Sequence, residues 1–265
     1  MPKPSKLLSR SAVIAGLAFA ASCSDSSTSP SVHDSASLNA AIAQTTYGDA
    51  STYSSARALT GLPGAASPTF DPSTCTYSSS DNGFTCPSKT VSGVTFGLKY
   101  YLYDANDVAL DSYSATTTAK LRTVFDAVGS FTTGTGTSAA TVGLNHHSDM
   151  TLTGLLGTTR TLNGTSRDRD TVVTTNGGAE VRATLDATGT ATNVVLPAAA
   201  GQYPASGMLA TDLTGTTTSN NLSTTASLRG TLTFNGTNFA TFTLSSGAGT
   251  TACIIDLSGS TAPRC

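Results

Sequence analysis

The chain has 265 residues, a net charge of −2 and only 11% charged residues, whereas an average soluble protein has about 25%. It contains 48 Thr and 35 Ser but a single Glu and no Trp. No stretch is basic enough to neutralise a phosphate backbone, so the sequence argues against nucleic-acid binding. Long helices are not expected either, because Glu, Lys and Arg are scarce and Thr is abundant.

Residues 1–22 have the pattern of an export signal. Lys3, Lys6 and Arg10 supply a positive start, and residues 11–21 supply an apolar segment. The apolar segment has the length of a signal-peptide core. It is too short for a membrane-spanning helix, which needs about 20 apolar residues.

The apolar segment ends in small residues directly before Cys23, which resembles the lipobox of bacterial lipoproteins, with Ala20 where that family favours Leu. The resemblance implies removal of residues 1–22 and acylation of Cys23, for example with palmitate, so that the lipid bilayer is a partner. Ser24 resembles the default signal for sorting to the outer membrane. The alternative is an ordinary secretory signal cut near Ala21. A membrane-anchored protein of the bacterial envelope is therefore expected.

Two further regions follow the signal. Residues 23–73 are rich in Ser, Ala, Gly and Pro, which predicts a disordered tether behind the lipidated cysteine. Residues 74–265 show short apolar–polar alternations bounded by Gly, Asn, Asp or Pro, which is typical of antiparallel strands. The predicted fold class is all-β, an antiparallel meander that forms a sandwich or a curved or partly closed sheet.

Thr supports this interpretation, because it is β-branched and its hydroxyl gives a strand a polar face without charge. With few Lys to protect them, the edge strands need closure, pairing or burial. Tight-turn residues predict where the strands end. The turn signals are Asp104-Ala105-Asn106-Asp107, Asn163-Gly164, Asn176-Gly177-Gly178, Gly189, the loop between Pro197 and Pro204, and Asn235-Gly236.

One segment is ambiguous between helix and strand. Leu121, Val124, Phe125 and Val128 stand at helical spacing, but the three threonines at 116–118 favour a strand. We expect a strand.

Four cysteines remain after Cys23, and an even number in an exported domain favours disulfides. Cys75 and Cys86 bracket one turn signal, and Cys253 and Cys265 bracket another, so we expect these two local pairs. Each would stabilise the fold by about 3 kcal/mol through loop-closure entropy. No CxxC spacing supports a metal site or a redox pair.

The best metal candidate is the group of His146, His147 and Asp149. Neighbouring strand residues point to opposite faces, so the two histidines cannot easily share an ion, and we expect no metal. A hydrolase would need one of these histidines in a cleft beside a Ser and an Asp. If both histidines lay exposed on a flat strand, that hypothesis would fail.

Two charged groups are explained by turns. Asp104, Asn106, Asp107 and Asp111 carry calcium-type oxygen ligands, but Val108 breaks the EF-hand pattern, so an Asx-type hairpin turn is expected. The Arg-Asp-Arg-Asp stretch at residues 167–170 follows a turn signal and is expected to cap an exposed turn.

No GxSxG, HExxH, SxxK or P-loop pattern occurs in the sequence. We therefore expect no enzyme and no cofactor, but a domain that binds or scaffolds an envelope protein, a lipid or a glycan. A lipid or glycan carrier or an adhesin is the first alternative, and a hydrolase is less favoured. Exposed tyrosines on one face, such as Tyr101 and Tyr103, would favour a glycan.

Overall fold

The computed structural model describes residues 70–135, 139–176, 179–197, 203–219, 222–258 and 264. The predicted signal peptide, the lipidation site Cys23 and the tether up to residue 69 lie outside these ranges. The described residues include no helix that is long and apolar enough to cross a lipid bilayer.

Thirteen strands make up about three quarters of the described residues. They are β1 Thr76–Ser78, β2 Gly83–Thr85, β3 Lys89–Val91, β4 Val94–Tyr103, β5 Ala109–Leu110, β6 Lys120–Thr133, β7 Ala140–Thr153, β8 Thr159–Asn176, β9 Ala179–Pro197, β10 Ser206–Ser219, β11 Leu222–Thr233, β12 Phe239–Ser246 and β13 Gly249–Asp256.

All thirteen strands join one antiparallel sheet in the order β1-β2-β4-β6-β7-β8-β9-β10-β11-β12-β13, while β3 and β5 both pair with β4. Among the described strands the first and the last do not pair, so the sheet is open. The predicted all-β meander is confirmed, in the form of a single sheet. The ambiguous segment around Phe125 is part of β6, which confirms the expected strand.

One face of the sheet holds the core, and we call it the inward face. In β7 every second side chain from Val142 to Leu152 is buried, as strand alternation requires. The largest apolar cluster runs along one end of this face from β4 to β12. Its largest fully buried side chains are Leu102, Leu121, Met150, Leu152, Leu162 and Val194.

Two predicted turns are wrong, because β8 runs unbroken through Asn163-Gly164 and β9 runs unbroken through Gly189. Instead of a turn, the structure has a β-bulge on β9. The bulge lies opposite Leu162 and Gly164 of β8, where the register between the two strands shifts. Asn193 carries the bulge with a φ of 47°, and its N–H donates to Asn163 Oδ1 over 2.8 Å. Asn-Gly tolerates the conformations that bulges need as well as those that turns need. The same dipeptide therefore fits a bulge within the sheet and a turn at the end of a strand.

The other turn signals agree with the strand ends. β4 ends before Asp104, β9 ends at Pro197, and Asn235-Gly236 lies between β11 and β12. β8 ends at Asn176 and β9 begins at Ala179.

The Cys75–Cys86 disulfide is confirmed. It joins the ends of β1 and β2 next to their paired residues Thr76 and Thr85. Cys253 is disulfide-bonded as well, while Cys265, its predicted partner, lies outside the described residues.

Candidate functional site

The residues best suited to chemistry lie together on the inward face, and we call them the inward polar cluster. It consists of His146 and Ser148 on β7 and Ser166, Asp168 and Asp170 on β8, all of them buried. Residues two apart on a strand share a face, and the β7–β8 register places His146 opposite Asp168 and Ser148 opposite Ser166. Two neighbouring strands thus gather five polar side chains.

A short hydrogen bond connects His146 and Asp168. The distance between His146 Nδ1 and Asp168 Oδ1 is 2.6 Å, and the two residues are only 3% and 4% exposed. The Phe125 ring lies 5.8 Å from the imidazole. A carboxylate bonded to Nδ1 fixes the tautomer and orientation of an imidazole, as in a catalytic triad. Such a pair also satisfies two buried polar groups, which is a structural role.

His147 points to the other face, as strand alternation predicts. Its Nδ1 lies 2.7 Å from Asp126 Oδ1, and about half of each side chain is exposed. Asp149 bonds to Arg122 instead of joining the histidines. Among the residues that the structure describes, no three His, Cys, Asp or Glu side chains form a group that could hold a metal ion.

The expectation for residues 167–170 is wrong, because this stretch lies in the middle of β8 and caps no turn. Asp168 and Asp170 point inward, whereas Arg167 and Arg169 point outward and lie 3.5 Å and 3.4 Å from Asp186. The alternation of Arg and Asp is the sequence signal for this arrangement. The turn signal at Asn163-Gly164 hides this arrangement, because it predicts that the strand ends before residue 167.

The Asp104 turn is built by side-chain capping. Asp104 Oδ1 accepts hydrogen bonds from the backbone N–H groups of Val108 and Asn106, each at 2.8 Å. The bond from Val108 is the main cause that lowers the pKa of Asp104. Asp107 instead bonds to Lys120, so these oxygens do not converge on one point.

Tyr101 and Tyr103 lie half-buried on the outward face, where each ring contacts a cation. The Arg122 guanidinium is 5.2 Å from the Tyr101 ring centre, and Lys120 Nζ is 4.3 Å from the Tyr103 ring centre. Arg122 also forms a two-pronged ion pair with Asp149, with distances of 2.8 Å and 2.5 Å. This pairing raises the pKa of Arg122 and holds the side chain against the sheet.

The outward face of β10 and β11 carries hydroxyl groups near the connection between the two strands. Threonines and serines that face each other across these strands form a row of side-chain hydrogen bonds. The pairs are Thr214–Ser227 at 3.2 Å, Thr216–Thr225 at 3.0 Å and Thr218–Ser223 at 2.9 Å. A groove of about 370 Å³ lies beside this row and is lined by Asp212, Leu213, Thr214, Ser227, Leu228, Arg229, Ser245 and Ser246.

A scan against protein-family models and searches of curated proteins and solved structures found no match to this chain.

Proposed function

We propose that the chain is a bacterial envelope lipoprotein, anchored by acylated Cys23, whose β domain binds or scaffolds without catalysing a reaction. The observation that carries the non-catalytic part is the burial of His146 and Asp168. The pair shares the His–Asp bond of a catalytic triad, but a general base has to reach a substrate or its water. A base that is 3% exposed inside the sheet is suited to structure rather than catalysis.

The outward face supports a binding or scaffolding role. Its long strands present hydroxyl groups, and several of its charges lie in ion pairs, such as Arg122 with Asp149 and Arg229 with Asp212. Such a surface hydrogen-bonds without strong electrostatic steering, which suits close contact with neutral sugars or with another sheet.

The anchor is tested by labelling cells that express the full chain with an alkyne analogue of palmitate. We expect the wild-type chain to be labelled and to partition into detergent, because the lipobox resemblance implies acylation of Cys23. A Cys23→Ala variant is expected to lose the label. Equal labelling of both chains, or none of either, would contradict the anchor.

Catalysis is tested by treating the purified chain with a fluorophosphonate probe, which labels activated serines. We expect no labelling, since the only His–Asp pair described on the inward face is buried. Labelling of the wild-type chain that is lost in His146→Asn would refute the non-catalytic proposal. It would instead favour a hydrolase that uses Ser148 or Ser166.

Glycan binding is the second candidate, favoured by the placement of Tyr101 and Tyr103 two residues apart on the outward face. Aromatic rings on one face can stack on sugar rings. We expect binding on a glycan array to be lost in Tyr103→Ala and kept in Tyr103→Phe, which retains the ring. An array without any reproducible signal would leave protein scaffolding as the role.

A further inference from the structure

The first half of β11 extends beyond its neighbour β12, while β10 remains paired with β9 up to Ser219. β11 pairs with β10 along its whole length but with β12 only from Leu228 to Thr233. Residues 222–227 therefore have a strand neighbour on one side only among the described residues. We call residues 214–219 and 222–227 the β10–β11 arm.

Among the residues that the structure describes, nothing gives the free edge of the arm the usual protection against pairing. Natural edge strands carry Lys or Pro, bulges, or a covering segment, because unpaired backbone groups are a template for another strand. The sequence from residue 213 to residue 228 contains no charged residue and no Pro. All six residues 222–227 are exposed, and Leu222 is 77% exposed. The backbone groups of such an edge are open to hydrogen bonding with another strand.

We propose that residues 222–226 pair with the same residues of a second copy of this chain, antiparallel and centred on Thr224. A two-fold axis perpendicular to the sheet relates the two copies, so that the inward faces of both lie on the same side. The contact is isologous, which is the commonest way in which soluble oligomers close. The hydroxyl-covered sheet then continues from one copy into the next.

The register follows from strand alternation. Residues that face each other across an antiparallel pair point to the same face, so even positions must face even positions. A centre at Thr224 places Thr224 opposite its own copy and Ser223 opposite Thr225. It also places Leu222 opposite Ala226, so that a large side chain faces a small one.

A second copy fits this edge better than a charged peptide would. The pairing opposes hydroxyl to hydroxyl, and no like charges meet, whereas directly opposed like charges destabilise cross-strand pairs. The contact is small, so the dimer forms at high local concentration. Membrane anchoring, which rests on the proposed function, supplies that concentration by confining the copies to a surface.

Cysteine cross-linking tests the register. The full chain carrying Thr224→Cys is purified in detergent, mildly oxidised and run on a non-reducing gel. Facing Cα atoms in an antiparallel pair are about 4.5–5.5 Å apart, within the range of a disulfide. The control Leu222→Cys lies on the same edge, but its copy is two positions further from the axis on each chain, about 13 Å away. We expect about tenfold more cross-linked dimer for Thr224→Cys, since bridging fails beyond about 7 Å.

Equal cross-linking of Thr224→Cys and Leu222→Cys would overturn the register, and no cross-linking of either would overturn the dimer. When the oxidation is carried out in cells before purification, a Thr224→Cys adduct with another envelope protein in place of the dimer would assign the edge to a different partner. Repeating the experiment at high concentration with Cys23→Ala separates the two proposals. A dimer of the Cys23→Ala variant would support the pairing of the two edges even if the chain carries no lipid anchor.

A charge test uses two positions that face each other on the arm, since Thr224 on β11 pairs with Thr217 on β10. Thr224→Lys puts two like charges opposite each other on the two-fold axis, whereas Thr217→Lys adds the same charge one strand away. By sedimentation we expect a concentration-dependent dimer for wild type and Thr217→Lys and a monomer for Thr224→Lys. Dimers in all three, or in none, would refute the proposal.

Discussion

β7 and β11 are strands of similar length in the same meander, yet they are buried to very different degrees. In the 14 residues of β7, every second side chain from Val142 to Leu152 is buried. In the 12 residues of β11, the first six are exposed, and burial begins only at Gly230. Both strands are rich in threonine and serine.

The difference teaches that hydroxyl residues favour the strand while apolar residues decide its burial. β7 places Val142, Leu144, Met150 and Leu152 on the inward face. β11 has no apolar side chain larger than Ala between Leu222 and Leu228. The arm remains a strand because its threonines are stiff and pair across to β10, not because it covers a core.

Removing Asp168 from the buried His146–Asp168 pair has the largest expected effect on the free energy of unfolding. We expect Asp168→Leu to lower the free energy of unfolding by about 3–5 kcal/mol, because His146 is left buried without this carboxylate. The double variant His146→Leu, Asp168→Leu should lose less than the sum of the two single variants, since neither member of this bond is then left without the other. Urea unfolding of these two variants and of the single variant His146→Leu measures the coupling. Purely additive losses would show that the pair is not a unit.

Truncating one leucine in each region tests the comparison directly. Leu152 on β7 is fully buried, whereas Leu222 on β11 is 77% exposed. We expect Leu152→Ala to cost about 2–5 kcal/mol. Leu222→Ala should change the unfolding free energy by less than about 0.5 kcal/mol. Thermal unfolding of dilute protein gives both values, and similar losses would mean that the arm is buried against something.

Substitutions at two glycines of β10 compare the end of the strand beside the β9 bulge with the end that belongs to the arm. Gly207 has a φ of 102° and faces the β9 bulge, where an added Cβ would collide with the Asn193 carbonyl and Val194. Gly215 has open space around its missing Cβ. We expect Gly207→Ala to cost about 3 kcal/mol in unfolding free energy. Gly215→Ala should be neutral or slightly stabilising, and equal effects would argue against the bulge.

Features that depend on neighbouring residues can be predicted from the sequence, whereas contacts between residues far apart in the chain cannot. The meander, the Cys75–Cys86 link and the separation of His146 from His147 follow from alternation and local spacing. The pairing of His146 with Asp168 does not, because it depends on the register that the turn at residues 154–158 sets between β7 and β8. That turn carries no signal as strong as Asn163-Gly164, which lies opposite the β9 bulge instead.

The last prediction concerns how stability depends on alkaline pH through a tyrosine on the inward face of β4. Tyr100 is buried, its hydroxyl donates to the Pro72 carbonyl over 3.3 Å, and burial raises its pKa to about 12. The unfolded chain loses this proton near pH 10, so stability is fully present below pH 10 and falls as pH rises toward 12. The loss attributable to Tyr100 is about 2 kcal/mol.

A Tyr100→Phe variant is the control for this pH dependence, because it keeps the ring and removes the titrating hydroxyl. We expect its unfolding free energy to fall less steeply than that of wild type between pH 10 and 12. Parallel curves for the two proteins would show that Tyr100 ionises as easily in the fold as in water.

The row of hydroxyl pairs on the arm has one more consequence. Either oxygen of Thr214–Ser227, Thr216–Thr225 or Thr218–Ser223 can donate, and none of these groups ionises near neutrality. Added salt shortens the reach of charge interactions from about 30 Å at 0.01 M to about 3 Å at 1 M. The row contains no charge to be screened, so its cross-strand bonds are the same in dilute water and in brine. The exported location proposed above exposes the domain to salt that the cell does not control.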